Sequence, residues 1–151
     1  MIMDEKLVFS DKQAIYGAAG SVASTYAIDL GGDGSFLGRG KEIYLVIQIM
    51  ESLAGGNAAS NVTFTLREAS AVAAGATTGA NRVLATRAYN KTQLVAGQRM
   101  VFAVPQKALI DMGQYFDVLI TRAGNTTTGG TATIFLTIGA DTWTTLPDAT
   151  N

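Results

Sequence analysis

Neither histidine nor cysteine occurs in the 151 residues of this chain, only two prolines and one tryptophan are present, and basic side chains never form a run. Each absence removes a class of function. Histidine is the only side chain that titrates near neutrality unperturbed, and cysteine is the strongest protein nucleophile and the source of every disulfide. Charged residues make up 15% of the sequence and sum to −1, against roughly 25% charged residues in ordinary soluble domains. Such a balance exerts no long-range pull on a polyanion, and non-specific nucleic-acid binding depends on Lys and Arg releasing counterions. Nucleic acid is therefore not an expected partner. The longest apolar stretch, Ile43 to Met50, is broken by Gln48 and falls far short of the ~20 residues a membrane-crossing helix needs. Met1 to Lys12 carries Asp4, Glu5, Lys6, Asp11 and Lys12 rather than the basic-then-apolar order of a secretory leader. Synthesis in the cytoplasm of the producing cell, with no membrane partner, is expected.

What is present is apolar residues at 48% and a β rhythm. A chain of this length suits one domain, burying about 70% of the surface its unfolded form exposes. Segments of strand character, Thr25 to Leu30, Glu42 to Glu51, Val62 to Arg67, Arg82 to Arg87, Met100 to Val104, Tyr115 to Arg122 and Thr131 to Ile138, recur between glycine-rich turns. That spacing predicts an all-β sandwich or barrel. Successive strand side chains alternate faces, so Val62, Phe64 and Leu66 point to a core, and Thr63, Thr65 and Arg67 to water.

Leu119 and Phe135 break this alternation, being apolar on otherwise polar faces. The two segments that carry them are joined by Gly124 to Gly130, which reads as a hairpin loop. Leu119 and Phe135 would then pack across the hairpin or face another subunit. Glu42 to Glu51 is apolar on both faces, as a strand covered on both sides would be, and either the chain's own loops or a partner chain must cover it. Short helical turns are expected over Asp11 to Ala19 and Gln106 to Met112, and loops over Gly31 to Gly40 and Ala69 to Ala80.

No motif carries chemistry. Gly31 to Gly40 lacks P-loop spacing, because Ser35 stands at the first glycine position and Glu42 at the hydroxyl position. Asp29 and Asp33 read as turn residues rather than calcium ligands. Glu42, Glu51 and Asp117 read as solvated charges rather than a glycosidase pair. No enzyme activity, cofactor, metal or small-molecule substrate is expected. Trp143 follows the last strand and either caps the core or anchors a contact.

Leu7-Val-Phe-Ser-Asp-Lys-Gln-Ala14, Ala27 to Gly31, Ile43 to Ile47, Val62 to Leu66, Tyr115 to Ile120 and Gly130 to Ile134 together resemble the capsid cement proteins of tailed bacteriophages, the jelly-roll kind first known from a Bordetella phage. Ser10-Asp-Lys-Gln-Ala14 is the most specific part. The resemblance implies a jelly roll of about eight antiparallel strands, one domain over 1–151 with a short N-terminal arm and a C-terminal tail. It further implies a homotrimer on the outer capsid surface, clamping the major capsid protein. Leu7, Phe9, Phe36, Leu119, Phe135 and Trp143 are the candidate capsid or subunit contacts, and the arm Met1 to Ser10 is the first candidate contact segment. The alternative on the same architecture is a carbohydrate-binding or receptor-binding module using Tyr16, Tyr26, Tyr89 or Trp143.

Overall fold

The computed structural model describes residues 7–29, 42–69, 71–73, 76–78, 82–104 and 114–138. Phe36, Trp143, the loop at 31–40, the turn expected at 106–112 and both ends of the chain lie outside the described residues. The strands are β1 (Val8–Ala14), β2 (Gly20–Ala23), β3 (Ile28–Asp29), β4 (Ile43–Gly55), β5 (Asn61–Ala69), β6 (Ala71–Ala73), β7 (Ala76–Thr78), β8 (Arg82–Asn90), β9 (Arg99–Ala103), β10 (Tyr115–Ala123) and β11 (Thr127–Ile138). One antiparallel sheet has the order β1-β11-β4-β9. The other has the order β2-β10-β5-β8, with β3 also paired to β10.

Chain neighbours sit in opposite sheets: β1 and β2, β4 and β5, β8 and β9, and β10 and β11 each straddle the sandwich. This alternation is the jelly roll. The inner faces carry Ile43, Leu45, Ile47, Ile49, Ile134 and Leu136 from the first sheet. Val62, Phe64, Leu66, Phe116, Val118 and Ile120 meet them from the second, and none of the twelve is more than 4% exposed.

Several local expectations are corrected. The segment read as a helical turn from Asp11 is strand β1, whose Phe9 and the following Ile15 are anchored in the core. The short polar side chains that suggested a helix cap serve a bulge instead. The pairing of β1 with β11 shifts register twice, and Lys12 adopts a left-handed φ of 48°. Thr133 Oγ1 accepts the Lys12 N–H at 3.1 Å and donates to Asp11 Oδ1 at 3.0 Å. The strand expected over Thr25 to Leu30 shrinks to β3, with the unexpected β2 before it, and the Ala69 to Ala80 loop contains the β6–β7 hairpin.

The expected hairpin at Gly124 to Gly130 does not form, because β10 and β11 lie in different sheets. The link crosses the end of the sandwich. Gly124 has φ 89°, and a Cβ there would lie 2.9 Å from the Ser60 Cα, so only glycine fits this close approach without strain. The neighbouring β4–β5 crossing meets it through Ser60, 1% exposed, whose Oγ accepts from the Asn57 N–H and donates to the Asn125 carbonyl.

One lateral side is stitched across the two sheets by the distinctive N-terminal element. Gln13 Nε2 donates to the Ala23 carbonyl at 2.8 Å, and Gln13 Oε1 accepts from the Thr25 N–H at 3.0 Å. The Tyr26 N–H donates to the Phe9 carbonyl at 2.8 Å. Buried Ser24 accepts the Val118 N–H and donates to the Tyr26 carbonyl.

Gln13→Ala removes the amide that joins β1 to the β2 end, and we expect a loss of about 1–2 kcal/mol, measured by urea unfolding with an unchanged denaturant slope. Phe64→Ala empties the centre of the core and is expected to cost about 3–5 kcal/mol in the same assay.

Candidate functional site

Each sheet has an outer face, and the two differ. On the first sheet, register places Val8, Phe135, Val46 and Val101 in one row across β1, β11, β4 and β9. Val46 is fully buried, and Phe135, Thr133 and Tyr44 are 2%, 5% and 9% exposed. This burial arises within a single chain for Tyr44 and Val46, whereas Gln48 is half-buried and Met50, farther along the same face, is 38% exposed. Phe135 accordingly presents no side chain to a neighbour. Nor does Phe9, which is fully buried between the sheets, and residues 8–10 of the expected contact arm are ordinary strand. Leu7 is half-buried and packs on the core.

The outer face of the second sheet is open. One row across β2, β10, β5 and β8 is Ser21, Thr121, Thr63 and Ala88, and the next is Ala23, Leu119, Thr65 and Thr86. Ser21 and Thr121 hydroxyls pair at 2.9 Å, and Thr65 and Thr86 at 3.1 Å. Half-buried Leu119 sits between Ala23 and Thr65 as the largest apolar group of these rows. It cannot pack against Phe135, because the two residues occupy different sheets. None of the eight side chains is charged.

Asp117, expected to be solvated, is fully buried on this same side of the sheet. The cause is Arg67 directly across the strand pair, whose Nε and Nη2 reach the two carboxylate oxygens at 2.9 and 2.5 Å. A buried carboxylate persists only with such a partner. β7 lies against β10 and β5, and the pair leaves the face without net charge.

Charge is gathered instead at one lateral side. From residue 69 to residue 110 the sequence holds Arg82, Arg87, Lys91, Arg99 and Lys107, five cations, and not one Asp or Glu. The first four lie in or beside β8 and β9, the edge strands of the two sheets on the side away from β1 and β2. Arg82 meets Glu68 of β5 at 2.6 Å. A search for consecutive basic residues misses this pattern, whereas counting acids per window reveals it. Burial pushes the Tyr89 phenol above its ordinary 10.0, partly opposed by the charge of Arg87.

A family model described as Bbp16 matches residues 9–136. The chain belongs to the Bbp16 family. That family is one of Bordetella phage proteins, and no curated protein matches the chain. The matched span of this Bbp16-family chain runs from β1 into the last turn of pairing in β11, and so includes both sheets. Its Ser10–Ala14 element is a structural stitch, with Gln13 and Asp11 consumed in joining strands.

A pocket of about 410 Å³ at the crossing end is lined by Leu53, Leu94 and Val95, with Ser52, Asn57 and Lys91 among its polar residues. One cation and no carboxylate offer no acid–base pair. Among the described residues no three metal-ligating side chains converge, and no helix is long and apolar enough to cross a membrane. Exposed Tyr26 and half-buried Tyr89 lie at opposite lateral sides, so they form no shared sugar platform.

Asp117→Ala strands the Arg67 charge, and we expect a loss of about 3–5 kcal/mol. Arg67→Met combined with Asp117→Leu should regain most of it, as read by equilibrium unfolding. Because the unfolded chain releases the tyrosine proton first, the contribution of Tyr89 is intact below pH 10.0 and is lost as pH rises past that value. Tyr89→Phe should flatten that part of the alkaline decline in stability.

Proposed function

We propose that this chain is a structural cement protein of a phage head. It seats on the outer capsid surface as a homotrimer and clamps adjacent copies of the major capsid protein, with no reaction of its own. The observation that carries this reading is an open, uncharged, threonine-rich sheet face around Leu119 in a chain of a phage family. Cores of protein contact surfaces are depleted of charge, and this face carries no net charge to desolvate.

A ligand that binds only the assembled lattice stabilises it by mass action, on the order of 2.7 kcal/mol per site at a hundredfold excess over Kd. A trimer engaging several subunits adds effective concentration to each modest contact. The first sheet is closed around Val46 and Phe135 while the second is open around Leu119, which gives the molecule one face suited to lying on a shell.

Purified protein incubated with undecorated, expanded capsids should add density at the outer surface and raise the capsid melting temperature. Absence of binding across a range of salt would overturn the reading. Saturable binding to a glycan array would favour the receptor-binding alternative. Leu119→Lys should weaken capsid binding at least about tenfold while changing the protein's own unfolding free energy by less than about 1 kcal/mol.

A further inference from the structure

We draw no further inference here: the strongest candidate, the apolar pocket of about 410 Å³ at the crossing end between Leu53, Leu94 and Val95, has Lys91 as its one charged lining residue, and nothing in the structure shows what covers it.

Discussion

The first half of strand β4, Ile43 to Ile47, is closed from water on both sides, and the rest of the molecule is arranged around that constraint. Ile43, Leu45, Ile47 and Ile49 fill the core, while Tyr44 and Val46 on the reverse side are also closed from solvent. Burying a side chain of this size contributes roughly 1.5–3 kcal/mol, so both faces of one strand act as a structural centre. With its backbone paired to β11 on one side and β9 on the other, no buried N–H or C=O along the central segment is left for a ligand to satisfy. The first sheet is thereby committed to structure, which leaves the outer face of the second sheet and the lateral edges for contacts.

The connections obey the same rule that buried polar groups must be paired. The crossings at β4–β5 and β10–β11 carry backbone over the end of the sandwich, where no ladder can satisfy it. Ser60 resolves this at the crossing end by serving the Asn57 N–H, the Asn125 carbonyl and, through its own carbonyl, the Lys91 N–H. Gln13 and Ser24 do the equivalent work at the β1–β2 side. These are short polar residues whose partners lie far along the chain, and that distance explains why their importance is invisible in a local reading.

Alternation made β5 and β10 legible, because one face is core and the next residue turns away. It also put Phe135 and Asp117 on their correct outer faces. It failed on what covers those faces. Phe135 lies on a sheet whose outside is closed, and Asp117 lies beside an arginine that only pairing across 50 residues brings near. The false hairpin has a related cause. In a jelly roll, consecutive strands share a connection without sharing a sheet, and no residue near Gly124 announces which sheet comes next. β1 was hidden by its own chemistry, since Ser10, Asp11, Lys12 and Gln13 look like a helix start until Thr133 and Thr25 are seen to use them. Of the four contact candidates among the described residues, Leu7, Phe9, Leu119 and Phe135, only Leu119 sits in the open face.

In the proposed cement role, the distribution of charge would give this architecture a division of labour. A face that must lie flat on a protein lattice gains from having few charges to desolvate, since stripping water from an unpaired ion costs more than a modest contact returns. Edges that must choose among partners gain from having charges, since like signs exclude the wrong pairing while contributing little to affinity on their own. This chain separates the two, with hydroxyls and Leu119 on the broad face and cations on β8 and β9. A reactive side chain would serve neither surface.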